Sequence, residues 1–154
     1  MNRLKIFFSI LLFLTGICLS AFAQDVPKTV VKSAKAKQML LGTHRFSLQW
    51  ISWDYFGKAI VSEKRGSLFI TGEQKARKGS DYLKMRGVIT EVTASEFKFT
   101  GTVEMRVSHI NQGEICKREG ELTFAIKGNR RYWRMQEMDN PCDQVTDYVD
   151  IFFK

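Results

Sequence analysis

The 154-residue sequence is poor in the residues that enzymes use most often for catalysis. It contains two histidines and three cysteines, and it has neither a G-x-S-x-G nor an H-E-x-x-H motif. These absences exclude the usual nucleophile and zinc-hydrolase mechanisms, so we predict no catalytic residue, no metal site and no cofactor. A carboxylate pair from Glu114, Asp139 and Asp143 is the remaining catalytic alternative. An Asp-Asn-Pro turn at residues 139–141 accounts for the aspartates without chemistry, and we expect a protein that is not an enzyme.

Long apolar runs are scarce beyond the N-terminus. There, two cations precede the apolar residues 6–19, which are followed by Ala-Phe-Ala at residues 21–23. This order is typical of a secretory signal peptide, and the apolar core is short for a membrane span. We predict cleavage before Gln24 and a secreted or periplasmic mature chain without a transmembrane segment. A lipoprotein signal at Cys18 is the alternative, although Ile17 stands where such signals need a small residue.

Removal of the signal peptide, residues 1–23, leaves 131 residues, which is enough for one domain with a real core. We predict a basic N-terminal arm at residues 24–43 and one β-barrel domain at residues 44–154. The mature chain keeps 22 Lys and Arg against 16 Asp and Glu, a net charge of about +6. This charge fits either ordinary solubility or attraction to an anionic partner, and export argues against nucleic acid. The denser basic stretches are Lys28, Lys32, Lys35 and Lys37 in the arm, and Lys75, Arg77 and Lys78 in a predicted loop.

Apolar and polar residues alternate in one run after another from residue 44 onward, which is the period of a half-buried strand. The clearest run covers residues 96–107, where Phe97, Phe99, Val103 and Met105 share one face. Eight such runs follow each other through short links without a crossover helix. We therefore predict an all-β fold, an up-and-down antiparallel eight-stranded β-barrel (meander), because closure pairs the first strand with the last and hides both edges.

Two cysteines remain after cleavage, Cys116 and Cys142, in a compartment that permits oxidation. We predict a disulfide between them, which closes a loop of about 27 residues and contributes roughly 3 to 4 kcal/mol in the chain-entropy model. In a meander, alternate links lie at the same end of the barrel. Cys116 falls in the fifth predicted link and Cys142 in the seventh, so both lie at one end, as a disulfide requires.

The end with the disulfide also carries the longer predicted loops, residues 74–80, 108–117 and 139–145. Long loops on a rigid scaffold are where binding residues concentrate. An eight-stranded barrel has an interior that side chains just fill or that holds one small ligand, and bulky aromatic residues suit both a packed core and a pocket. The candidate ligand-binding residues are Trp50, Trp53, Tyr55, Phe56 and Trp133, and the candidate partner-binding residues are Lys75, Arg77 and Lys78.

The strand pattern of residues 40–154 resembles that of the calycins, which include lipocalins, avidin-like proteins and small barrel inhibitors. Thr146-Asp147-Tyr148 is similar to the T-D-Y of lipocalins, and Gly42 to the glycine of their G-x-W, with His44 at the tryptophan position. The resemblance implies a lipocalin-like barrel. The loops and aromatic residues then suggest a binding module for a small apolar ligand or for an extracellular or periplasmic protein at the disulfide end. The alternative is a non-enzymatic inhibitor or surface adhesin that acts through the same loops.

Overall fold

The computed structural model describes residues 26–154. The predicted signal peptide, its cleavage before Gln24 and the alternative at Cys18 lie outside the described residues. No helix within them is long and apolar enough to cross a membrane. The elements in residues 26–154 are β1 (Val30–Val31), α1 (Ala34–Leu40), β2 (Gly42–Leu48), β3 (Gly57–Lys64), β4 (Ser67–Lys75), β5 (Tyr82–Val92), β6 (Glu96–Arg106), a short 3₁₀ turn (Asn111–Gly113), β7 (Ile115–Ala125), β8 (Tyr132–Met135) and β9 (Val149–Phe152).

Strands β2 to β9 form an eight-stranded antiparallel barrel in meander order. Each strand pairs with the next along the chain, and β9 closes the barrel against β2, with Phe46 opposite Ile151. Alternation positions one apolar face of each strand inward, where burial removes that face from water. The prediction of an all-β meander barrel is therefore confirmed. The β7–β8 contact is short, since only Phe124 and Ala125 pair, opposite Met135 and Arg134.

Side chains fill the barrel interior. Two glycines in the strands make room for aromatic rings: a Cβ on Gly101 would lie 2.7 Å from Cζ of Phe99, and one on Gly72 would lie 2.9 Å from Cε1 of Phe46. Such close approach of a ring to the backbone needs glycine, so these residues contribute to core packing as well as to sheet curvature. The largest fully buried side chains include Trp133, Phe46, Phe97, Phe99 and Phe124.

The two ends of the barrel differ in their connections. One end, the disulfide rim, consists of four loops: residues 49–56, 76–81, 107–114 and 136–148. The other, the helix-capped end, consists of the turns at residues 65–66 and 93–95, the loop at residues 126–131, and the segment that contains α1. The longer loops therefore gather at the disulfide rim.

Helix α1 was not predicted by the alternation pattern, and it lies in the segment described above only as a basic arm. The hydroxyl of Ser33 accepts a hydrogen bond from the N–H of Ala36 at 3.2 Å and caps the helix. Ala36 and Leu40 are buried in the core, and Lys37 forms a 2.8 Å ion pair with Glu63. A helix of this length is marginal alone, so its packing on the barrel stabilises it.

The rest of the arm adds a strand to the sheet. β1 pairs in parallel with the end of β5, where Val30 lies opposite Glu91. The hydroxyl of Thr29 donates to the carbonyl of Ile89 at 2.6 Å and accepts from the N–H of Leu68 at 2.8 Å. The arm thus extends the sheet beyond the beginning of β4.

Some predicted boundaries move in the structure. Cys116 is the second residue of β7 and not part of a link, and Lys75 is the last residue of β4 and not part of a loop. Trp50 lies in the turn after β2. Cys142 lies in the loop at residues 136–148. The predicted disulfide between Cys116 and Cys142 is confirmed, with their Cα atoms 6.0 Å apart.

Candidate functional site

The loops of the disulfide rim are held to one another by hydrogen bonds. The side chain of Gln49 donates to the carbonyl of Thr146 at 2.6 Å and accepts from the N–H of Tyr148 at 2.7 Å. The carboxylate of Asp143 accepts from the N–H of Asn111 at 2.7 Å. Two neighbouring loops are therefore anchored to the loop that carries Cys142, which makes the rim a preorganised surface.

A buried polar network closes the mouth of the barrel beneath these loops. Arg118, on the inward face of β7, donates to the carboxylate of Asp147 at 2.7 Å and to the carbonyl of Asp139 at 2.8 Å. Asn140 and the indole of Trp50 donate to the same carboxylate at 2.9 and 3.0 Å. Asp147 has no exposed surface. Its charge is therefore compensated inside the protein.

One nitrogen of this network has no hydrogen-bond partner. Among the buried side-chain nitrogen and oxygen atoms of residues 26–154, Nη1 of Arg118 alone is unpaired. Sequence analysis did not identify Arg118 or Asn140, because polar residues at inward positions look like breaks in the apolar pattern. The sequence signal that could have identified Arg118 is an arginine at an inward strand position, two residues after Cys116.

Trp53 is exposed at the rim, on a loop whose conformation is fixed. The hydroxyl of Ser52 accepts from the N–H groups of Asp54 and Tyr55 at 3.0 and 3.2 Å. The phenol oxygen of Tyr55 accepts from the N–H of Arg77 at 3.0 Å, and the Arg77 guanidinium lies 4.4 Å from the Tyr55 ring centre. Trp53 itself is 63% exposed. The structure thus brings two predicted site residues, Tyr55 and Arg77, into contact beside a third predicted site residue, Trp53.

The other predicted aromatic residues lie elsewhere. Trp50 is half-buried and hydrogen-bonded to Asp147, so it belongs to the network in the mouth. Phe56 contacts Phe152 on the outer wall, with ring centres 5.0 Å apart. Trp133 is a core residue, 1% exposed. The five aromatic residues therefore do not line one common pocket.

The predicted cations differ in their surroundings. Lys75 lies 3.2 Å from Glu73, and both side chains are largely exposed. Arg77 and Lys78 are exposed, and within residues 26–154 neither forms an ion pair with a carboxylate. Arg77 is therefore held by an aromatic ring while its charge remains unneutralised.

The carboxylate of Asp143, at the rim, has structural partners. The N–H groups of Asn111 and Gln144 donate to Asp143 and hold the pKa of its carboxyl below its usual value. A lowered pKa favours the ionised form and does not suit a general acid at neutral pH. The backbone of Asp139 is engaged as well, through its carbonyl, by Arg118.

A second group of side chains covers part of the outer wall, and of its members sequence analysis selected only Phe56 as a site residue. The guanidinium carbon of Arg45 lies 4.8 Å from the ring centre of Phe56 and 5.1 Å from that of Phe152. Arg134 forms an ion pair with Asp150 beneath Tyr148. Arg45 and Phe152 occupy outward positions on β2 and β9, which become neighbours only when the barrel closes. Their sequence signal is an arginine or aromatic residue at an outward position of each of these strands.

These features define a class of protein: a small antiparallel β-barrel with a filled interior, a disulfide at one rim and a helix at the other end. Comparison with known families identifies the particular one. The PM1083 family model matches residues 28–153, and the chain belongs to this family. The match includes most of the described arm as well as the barrel.

A curated relative agrees with this assignment. The chain is 44% identical over 135 residues to a protein of Pasteurella multocida (strain Pm70) that is named uncharacterized protein PM1083. The aligned region covers 88% of this chain and 87% of that protein. The comparison with solved structures finds no match.

Proposed function

We propose that the protein is a non-catalytic binding module that captures a partner protein outside the cytoplasm through its disulfide rim. The observation that carries this proposal is the position of Trp53, which is 63% exposed on a loop held by Ser52 and Tyr55. Leaving a large aromatic side chain in water costs free energy. Fixed, exposed aromatic residues are typical anchors of protein interfaces.

The filled interior favours a partner over an internal ligand. Phe46, Phe99 and Trp133 occupy the barrel, and Arg118 and Asp147 form a buried ion pair across its mouth. An apolar ligand would have to displace these rings and open the ion pair, at a cost in packing and in unpaired buried charge. Binding at the outer surface of the rim requires neither change.

The chemistry of the rim favours an acidic partner with an apolar pocket. Arg77 contacts Tyr55, two residues after Trp53, and Lys78 follows Arg77 in the same loop; neither cation is neutralised by a carboxylate within the described residues. An indole that enters a pocket would provide most of the affinity. The cations would steer association and orient the partner.

Two further proposals accompany this function. Export is supported by the signal-peptide pattern of residues 1–23 and by a disulfide, which persists in oxidising compartments. A relationship with the calycins is supported by the eight-stranded meander. That relationship concerns architecture, and architecture alone does not specify function.

The function can be tested by capture of partners on the immobilised mature protein. We expect Trp53→Ala and Arg77→Glu to lose a partner that the wild type retains from extracytoplasmic extracts of the source cells. Ile60→Ala is the matched apolar control, because Ile60 is 48% exposed on β3, away from the rim. Lys127→Glu is the matched charge control at the helix-capped end.

The fluorescence of Trp53 provides a second measurement. Its emission should shift to the blue when the captured partner is added to the wild type, and the shift should be absent in Trp53→Ala. Retention of the same partners by all four variants would contradict the proposal. Uptake of an apolar fluorescent probe with displacement of Trp133 from the core would favour an internal ligand instead.

A further inference from the structure

A basic groove runs along the outer wall at the helix-capped end. It has a volume of about 540 Å³, within the range of small-molecule sites. It lies between the beginning of β2 and the end of β9. The groove is lined by Thr43, His44, Arg45, Arg131, Phe152, Phe153 and Lys154.

The side chains that line the groove carry charge of one sign, which the main-chain carboxylate of Lys154 offsets in part. Arg45, Arg131 and Lys154 contribute three cations, and the described residues that line it include no aspartate or glutamate. None of these three cations belongs to an ion pair within residues 26–154. Asp150 is a carboxylate of the same wall, and it is already bound by Arg134. The described side chains therefore give the groove a net positive charge.

Arg45 is held in place before any ligand arrives. Its guanidinium carbon lies against two aromatic rings, 4.8 Å from the centre of Phe56 and 5.1 Å from the centre of Phe152. The two rings also contact each other at 5.0 Å. A guanidinium stacked on rings keeps the N–H groups of its edge available for an anion. Little side-chain entropy remains to be lost on binding.

The ammonium group of Lys154 is also positioned. It donates a hydrogen bond to the carbonyl of Leu41. A Cβ on Gly42 would lie 2.8 Å from this nitrogen, so the glycine leaves room for the lysine side chain. The ring nitrogens of His44 lie 2.7 and 2.9 Å from the carbonyls of Leu40 and Phe152, so both are engaged by the backbone. His44 therefore forms part of the wall and the cations provide the polar contacts.

We propose that this groove binds a phosphate monoester, with the phosphate against Arg45 and Arg131 and the organic group against the ring of Phe152. A monoester is a dianion at neutral pH, and it neutralises more of a three-cation site than a carboxylate or a phosphodiester does. Arginine also binds phosphate oxygens through two parallel N–H bonds. The phosphate belongs to a soluble organic ester or to a lipid headgroup, and the two sources share this chemistry.

The first test is a titration of the mature protein with phenyl phosphate, followed by calorimetry and by NMR shifts of the groove residues. We expect saturable binding at Thr43 and Phe152, and weaker binding of methyl phenyl phosphate, which carries one charge. Arg45→Gln and Arg131→Gln should each weaken the affinity by about ten-fold, the effect of losing one charge-assisted contact. Arg86→Gln, an exposed arginine on β5, is the matched control.

Vesicles distinguish the two sources. Phosphatidic acid is a monoester lipid, and phosphatidylglycerol is a diester lipid. A lipid headgroup is identified if the protein sediments with phosphatidic acid vesicles but not with phosphatidylglycerol vesicles, and if Arg45→Gln abolishes this sedimentation. A soluble ester is identified if the protein binds phenyl phosphate but sediments with neither kind of vesicle.

Three results would overturn the proposal. They are no saturable binding of phenyl phosphate, equal affinity for phenyl phosphate and methyl phenyl phosphate, and a loss of affinity in Arg86→Gln equal to that in the Arg45 and Arg131 variants. Urea unfolding checks that each variant is folded. Trp53→Ala should bind phenyl phosphate as the wild type does. The proposal for the groove can therefore fail without affecting the proposal for the disulfide rim, and the reverse also holds.

Discussion

Arg134 and Asp150 form a two-bond ion pair on the outer wall of the barrel, where both residues are nonetheless buried. The two hydrogen bonds are each 2.7 Å long, and the residues lie opposite each other on β8 and β9. The ring of Tyr148 lies 4.0 Å from the Arg134 guanidinium carbon. The hydrogen bonds that the Arg134 guanidinium donates to Asp150 raise the pKa of Arg134. A charged pair is thus kept away from water by an aromatic cover.

Removal of one member of this pair should destabilise the fold strongly. Asp150→Asn leaves the guanidinium without its counterion in a buried position, and we expect a loss of about 3 kcal/mol in the free energy of unfolding. Glu121→Gln, which breaks the exposed pair with Lys98, should cost less than about 1 kcal/mol. Urea unfolding measures both. Equal losses would mean that the aromatic cover has no energetic role.

The disulfide should stabilise the rim more than the opposite end. It joins residues 26 apart in the sequence, and the chain-entropy model gives a contribution of about 3 kcal/mol. The Cys116→Ala/Cys142→Ala variant should lose this amount in urea unfolding. Amide hydrogen exchange should accelerate in the loop at residues 136–148 while α1 remains protected at moderate denaturant. Uniform acceleration throughout would contradict a local role.

Gly87 should not tolerate even a methyl group. A Cβ there would lie 2.2 Å from the carbonyl oxygen of Thr100 and 2.6 Å from Cε2 of Phe99. We expect Gly87→Ala to cost more than about 2 kcal/mol or to prevent folding. Gly128→Ala is the control, because its Cβ meets nothing within 4 Å and only the φ of +61° adds strain of about 1 kcal/mol. Urea midpoints compare the two, and similar midpoints would refute the packing argument.

Acid should weaken the rim through Asp143. Its pKa lies below the usual 3.8 because the N–H groups of Asn111 and Gln144 donate to the carboxylate. Its contribution to stability is therefore present above the pKa of the unfolded chain and is lost as the pH falls through the lower folded value. Asp143→Asn should be less stable than the wild type at neutral pH, with a gap that closes below about pH 4. Asp54→Asn controls for the loss of an exposed charge. A stability difference between the wild type and Asp143→Asn that does not change with pH would contradict the role of the Asp143 carboxylate.

Alkali should reveal a hydrogen bond between two outward side chains. The hydroxyl of Tyr82 donates to Glu104 at 2.6 Å, which raises the pKa of Tyr82 to about 12. The hydrogen bond contributes its full stability at pH values below 10.0, the usual pKa of tyrosine, and this contribution is lost as the pH rises through the folded pKa of about 12. Absorbance titration should detect one late phenol, absent in Tyr82→Phe and shifted earlier in Glu104→Gln. An unshifted titration in Glu104→Gln would rule out this cause.

The strands of the barrel could be predicted because the alternation of apolar and polar residues depends on local sequence alone. In residues 96–107, each apolar side chain is followed by a polar one, and only a two-sided strand satisfies that pattern. The disulfide was predicted from the two cysteines that remain after cleavage, and the order of the links agreed with it. Helix α1 escaped prediction because seven residues with lysines at positions 35 and 37 show too little periodicity, and contacts with the barrel stabilise it.

The candidate site was predicted only in part. Trp53, Tyr55 and Arg77 lie at one rim as loop residues of adjacent connections, which the meander order allowed us to expect. Trp133 was assigned to a candidate pocket because an inward aromatic residue in a core has the same sequence pattern as one that lines a cavity. Only the packing of neighbouring rings distinguishes the two.

The amino-acid order by itself determined the strands, their inward faces and the pairing of two cysteines, since each depends on period or count. Tertiary structure alone decided that the interior is filled, that Arg118 meets Asp147 in the mouth, and that Arg45 lies against Phe56 and Phe152. The reason is physical: these contacts join residues of different strands and loops, so they depend on how the strands pair and the barrel closes.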